Sequence, residues 1–135
     1  MRDGTVSNFQ NGIDLSTSTG SIIEGLHLGG GSGGNVGIHA TGIVKGNDVE
    51  GWNGSCGISA RGLVTGNYLG ANIQGGICIS DGGSAVIGNT VVSTKIAVRV
   101  VCPSLVTENA ILGQIITSGE GCNITNNANV AVVGP

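Results

Sequence analysis

Residues Ile43 to Val49 read IVKGNDV, Leu63 to Leu69 read LVTGNYL, and Ala85 to Val91 read AVIGNTV. Anchored on its second residue, this phrase extends to Val6, Ile23, Val44, Val64, Val86, Val106 and Ile124, separated by 17, 21, 20, 22, 20 and 18 residues. The period is therefore near 20 residues. Three residues beyond the anchor stand Asn47, Asn67, Asn89, Asn109 and Asn127, while Phe9 and Leu26 hold that place in the first two units. A glycine before the Asn admits left-handed backbone angles. An amide side chain both donates and accepts, so asparagines stacked at about 4.8 Å form a hydrogen-bonded ladder.

A second phrase alternates with the first: NGIDL from Asn11, VGIHA from Val36, CGISA from Cys56, GGICIS from Gly75, KIAVRV from Lys95 and QIIT from Gln114. Each reads as a short strand of period two. Its inward pairs are expected to be Ile13 and Leu15, Ile38 and Ala40, Ile58 and Ala60, Ile77 and Ile79, Ile96 and Val98, and Ile115 and Thr117. Short strands parted by Gly, Asn and Ser turns, without a helical period, describe a coil wound by stacking. Composition agrees. Aromatic residues are 2% of the chain, too few to fill the core of a compact globule but suited to a narrow solenoid packed with Val, Ile, Leu and Ala.

These phrases and the Asn ladder resemble the right-handed parallel β-helix of the pectate-lyase-like superfamily over nearly the whole chain. The expected fold is an all-β, single-stranded right-handed parallel β-helix of about six coils, forming one domain over residues 1–135. Right-handedness follows from the resemblance and from the chirality of parallel crossovers. The terminal phrases TVSNFQNGI and NVAVVGP are apolar and uncapped, so the chain reads as a fragment or an uncapped unit that self-associates or adjoins another domain. The insert Gly25 to Gly37 and the stretch Gly51 to Gly57 read as protruding loops, and the tract Gly29 to Gly34 as a flexible loop. The resemblance favours an extracellular, phage or cell-surface setting.

The net charge is −3 and the five Lys and Arg are scattered, which argues against a nucleic-acid partner. No apolar run approaches the roughly 20 residues of a membrane span, and the start lacks the apolar core of a secretory signal. Cys56, Cys78, Cys102 and Cys122 form no C-x-x-C pair, so neither a metal site nor a cofactor is expected. They read as reduced small fillers, with one disulfide between neighbouring coils as the alternative.

The superfamily holds lyases, hydrolases and non-catalytic adhesins, so membership implies no single activity. The outward row of the second phrase is expected to carry Asp14, His39, Ser59, Cys78, Ala97 and Ile116, with Arg61 at the following turn. Asp14, His39 and Ser59 have the residue types of a nucleophile triad, but nothing in the sequence supplies an oxyanion site. The carboxylates Asp14, Glu24, Asp48, Glu50, Asp81, Glu108 and Glu120 lie in different registers, which disfavours a paired-carboxylate glycosidase. His27 and Asp48 share one register on adjacent coils, as a surface hydrogen bond or a general-base couple. Trp52 and Tyr68 are the rings available to stack on a sugar, with Arg61 nearby; a lone loop Trp more often serves as a lid on a coil edge. The expected function is a non-catalytic structural or glycan-contacting module, the alternative a polysaccharide lyase or hydrolase.

Overall fold

The computed structural model describes residues 1–9, 11–30, 35–72 and 74–133, with the side chains of 71, 72, 93, 94 and 129–133 left aside. Its strands, in chain order, are β1 (Arg2–Ser7), β2 (Asn11–Leu15), β3 (Ser21–Gly29), β4 (Val36–Lys45), β5 (Asp48–Glu50), β6 (Cys56–Thr65) and β7 (Tyr68–Asn72). They continue as β8 (Gly75–Ile79), β9 (Ala85–Ile87), β10 (Thr90–Val101), β11 (Leu105–Thr107), β12 (Ala110–Ser118), β13 (Asn123–Thr125) and β14 (Ala128–Val133). No helix occurs among the described residues. Every pairing is parallel, and the chain winds a parallel β-solenoid of about six turns.

Three faces build each turn. The first stacks β1, the end of β3, β5, β7 and the starts of β10 and β12. The second stacks β2, the starts of β4 and β6, β8 and the ends of β10 and β12. The third stacks the start of β3, the ends of β4 and β6, then β9, β11 and β13. Aliphatic rows point inward from every face: Leu28, Val49, Leu69 and Val91 from the first, Ile38, Ile58, Ile77 and Val98 with Ala40, Ala60, Ile79 and Val100 from the second, Val44, Val64, Val86 and Val106 from the third. All are buried, and stacked like on like they fill the axis.

The ladder stands at the corner between third and first faces. Asn67 is typical: its Nδ2 lies 2.9 Å from Asn89 Oδ1, 3.0 Å from Val44 O and 3.1 Å from Thr65 O. Its Oδ1 accepts from the backbone N of Asn47 at 3.0 Å and from Asn47 Nδ2 at 2.9 Å. One side chain thus ties three turns together. Asn89 and Asn109 repeat the arrangement, Asn127 receives it at the far end, and Asn47 passes it to the backbone N of Leu26 at 3.0 Å.

The register corrects four expectations. Val6 pairs with Leu28 on the first face, so the anchor row starts at Ile23; Phe9 consequently holds no ladder position and is exposed. In β10 the pairing with β8, Val98 on Ile77, Arg99 on Cys78 and Val100 on Ile79, makes Val98 and Val100 the inward pair and Arg99 the outward residue, two residues beyond the expected Ile96 and Val98 with Ala97 outward. The cysteines are not reduced fillers: Cys56 bonds Cys78 and Cys102 bonds Cys122, at Cα separations of 5.9 and 4.9 Å. Their sequence separations, 22 and 20, equal one turn of the solenoid and bring each pair onto neighbouring turns. Finally, much of the Gly25 to Gly37 insert is strand, since β3 runs to Gly29; residues 31–34 lie outside the described residues.

Asn89→Ala strips partners from Asn67, from the carbonyls of Val64 and Ile87, and from its own turn's contact with Asn109. Urea unfolding of this variant is expected to show a loss of at least about 3 kcal/mol, since each buried polar group left unpaired costs about 1–3 kcal/mol. Asn127→Ala, half-exposed at the ladder's end, is expected to lose less. Replacing Cys102 and Cys122 together by Ser is expected to remove about 2–4 kcal/mol in the same assay, and thiol titration of the unfolded, unreduced protein should find no free cysteine.

Candidate functional site

The ladder corner requires a left-handed residue just before each Asn. Gly25, Gly46, Gly66 and Gly88 have φ of 66, 61, 61 and 64°, and Glu108 and Asn126 continue the row at 60 and 53°. Where the residue is glycine, the corner carries no side chain. A Cβ at Gly46 or Gly88 would meet nothing within 4 Å. The result is a trough on the outside of the solenoid, two adjoining depressions of about 360 and 440 Å³ that share Gly25, Gly46 and Gly66. Asp3 closes one end, its carboxylate lying where a Cβ on Gly25 would stand, and Glu108 supplies the first side chain of the glycine row at the other.

The two walls come from different faces. On the third face the register aligns Glu24, Lys45 and Thr65. Glu24 is bridged from both sides, by Arg2 Nε at 2.7 Å and Lys45 Nζ at 2.7 Å. Those cations, Lys45 foremost, hold its carboxyl below the usual carboxylate range. On the first face the register aligns His27, Asp48 and Tyr68. His27 Nδ1 lies 3.0 Å from Asp48 Oδ2, which makes the expected pair a hydrogen-bonded contact. Tyr68 is 42% exposed and its ring lies across Gly70, where a Cβ would come within 2.8 Å of it.

Trp52 is not available to any ligand surface. It is completely buried, and its ring closes against Gly37, where an added Cβ would stand 3.0 Å from the indole nitrogen. Trp52 stands in the loop between β5 and β6 where the sequence placed it, but its ring turns into the solenoid interior, because Gly37 of the neighbouring turn leaves it room.

The outward row of the second face carries Asp14, His39, Ser59, Cys78 and Arg99 in register. Asp14 Oδ1 accepts from Ser16 N at 3.0 Å and Ser16 Oγ at 2.7 Å, and His39 Nδ1 stands farther off at 3.6 Å. Among the described residues no hydrogen bond joins His39 to Ser59. Cys78 is spent in its disulfide, and Arg61 lies outside the row, its Nε 3.0 Å from Asp81 and 3.3 Å from Ser80 Oγ. Among the described residues no cluster of three or more His, Cys, Asp or Glu is placed to hold a metal ion.

Sequence reasoning paired His27 with Asp48 but missed Glu24, Lys45 and Thr65 as their opposite wall and Asp3 at its end. The available signal was that positions one before and two after a left-handed glycine border the same corner. No family model, curated protein or solved structure matches the chain.

The hydrogen bonds from Ser16, more than His39, lower the pKa of Asp14. The ionised carboxylate therefore favours the folded state above the unfolded pKa, and this contribution fades as pH falls through the folded value. By NMR titration, Ser16→Ala is expected to raise the Asp14 pKa more than His39→Ala does; the reverse order would restore Asp14 to a partnership with His39.

Proposed function

We propose that this chain is a non-catalytic β-helix module that contacts a glycan along the glycine-floored trough, as a stalk, tailspike-like or cell-surface segment. The observation that carries the reading is the half-exposed ring of Tyr68 standing in one row with Asp48 and His27 beside a corner stripped of side chains. Pyranose rings are recognised by an aromatic face together with hydrogen-bonding groups at its edge, and a floor of glycine lets an extended chain lie close to the backbone. The charged groups around the trough are engaged with one another across turns, Glu24 with Arg2 and Lys45 and Asp48 with His27, an arrangement that suits binding rather than bond cleavage. Resemblance to the pectate-lyase-like superfamily agrees with a polysaccharide as the partner. Two disulfides between turns agree with an oxidising, extracellular setting.

The lyase or hydrolase reading draws on Asp14, His39 and Ser59 in the outward row of the second face, with Arg61 two residues beyond Ser59 on β6. Affinity electrophoresis through gels cast with neutral, amino and acidic polysaccharides separates the two. Retardation is expected in at least one gel, with no release of reducing or unsaturated ends. Tyr68→Ala is expected to weaken the retarding affinity roughly tenfold, or about 1.4 kcal/mol. Gly46→Asn, which fills the trough with a residue that tolerates the left-handed corner, should act likewise. Asp14→Ala and His39→Ala should change nothing; turnover that either one abolishes would overturn the proposal in favour of the enzyme.

A further inference from the structure

An Asn followed by Gly is a place where a chain can modify itself without an enzyme, because glycine leaves its own amide nitrogen open to attack the preceding side chain. The sequence has two such pairs, Asn11–Gly12 and Asn53–Gly54, and both Asn side chains are exposed. The fold treats them differently. Asn11 and Gly12 lie in β2, where Asn11 pairs with Val36 and Ile13 with Ile38. Closing a ring between side chain and backbone needs rotation about the Asn Cα–C bond, which an extended, paired strand denies. Asn53 and Gly54 belong to residues 51–55, the loop that leaves the first face at the edge opposite the trough. Among the described residues no hydrogen bond holds the Asn53 side chain or the Gly54 amide. No side chain can shield that amide either. The backbone of Asn35 occupies the space where a Cβ at position 54 would stand, so the fold requires the glycine that makes the pair reactive.

We infer that Asn53–Gly54 is a site of spontaneous deamidation to isoaspartate, and that the product unseats Trp52. The Gly54 nitrogen, losing its proton to solvent base, attacks Asn53 Cγ; the Nδ2 group leaves as ammonia and a cyclic imide remains. Water then opens either imide carbonyl, giving aspartate or isoaspartate at position 53, so that amide and water have become carboxyl and ammonia. Both products add a negative charge. Isoaspartate also runs the main chain through Cγ, which lengthens the loop by an extra backbone atom. The loop is held at both ends: Gly51 N donates to Gly70 O at 3.3 Å, and Cys56 is bonded to Cys78. Between these ties Trp52 is completely buried, its indole closed against Gly37. Lengthening the chain next to it draws the ring from that seat.

Ageing the full chain in mildly alkaline, non-denaturing buffer tests this. The readouts are peptide mapping by mass spectrometry, isoaspartyl methyltransferase labelling, and the fluorescence of Trp52, the single Trp of the chain. Conversion at Asn53 is expected to be at least about tenfold faster than at Asn11, the protection that a paired strand gives over a loop. Isoaspartate is expected as the major product, with a red shift in emission that grows with it. In urea, where that protection is lost, the two pairs are expected to react within about twofold of each other. Asn53→Gln, whose longer side chain closes the ring poorly, is expected to fold like the parent by circular dichroism and to keep its emission through the same ageing. Equal rates at Asn11 and Asn53 in the folded protein, or an Asn53 that reacts only in urea, overturn the site. Conversion at Asn53 with unchanged emission, or an equal shift in Asn53→Gln, overturns the link to Trp52.

Discussion

A coil that returns to its starting azimuth every twenty or so residues has to turn sharply somewhere, and a backbone that turns sharply inside a stack exposes amide groups no neighbouring strand can reach. In this chain both difficulties fall at one corner. The left-handed residue at Gly25, Gly46, Gly66 and Gly88 makes the turn, and the Asn or, once, Leu that follows is drawn inward. The carbonyls of Val44, Val64 and Val86 that the turn would strand are each taken by an Asn side chain of the next turn. Because each amide also passes a hydrogen bond along the axis, their dipoles align head to tail and strengthen one another. The stacked aliphatic rows, the registers of all three faces and the outer trough follow from that corner.

The same corner explains what the sequence made legible. Asn47, Asn67, Asn89, Asn109 and Asn127 could be read because only one side chain suits a buried position that must donate and accept in both directions, so the residue type repeats. The apolar rows were legible as rows but less so in phase. Val6 has the look of an anchor, since any inward valine does, and only pairing with Leu28 assigns it to a different face. In β10 the strand phrase sits two residues later than it reads, Val98 and Val100 following Ile77 and Ile79, a displacement that alternation alone does not register, because Ile96, Val98 and Val100 fall on the same side of the strand and all are apolar.

Other features were hidden for local reasons. The cysteine separations matched the period, but their places within the strand phrases differed, which disguised two covalent links between adjacent turns. Trp52 stood between two readings, a ring for stacking on a sugar and a lid on a coil edge; its complete burial depends on the absence of a side chain one turn away, at Gly37. The trough itself was half legible. His27, Asp48 and Tyr68 fall on a single row, whereas the wall across from them belongs to another face and becomes a neighbour only once the chain has bent.

The ladder also bears on how such a molecule varies in length. Asn67, Asn89 and Asn109 each present the same acceptor on one side and the same donor on the other, so a turn bounded by two of them is exchangeable with any other. Inserting or deleting a whole turn leaves every amide of the ladder satisfied and every aliphatic row unbroken. Duplication of some twenty codons is therefore a conservative event here, in contrast to a single inserted residue, which would put the corner, the rows and the trough out of phase at once. Length along the axis is the one dimension that evolution can adjust freely, and it measures out reach in steps of one strand spacing, about 4.8 Å.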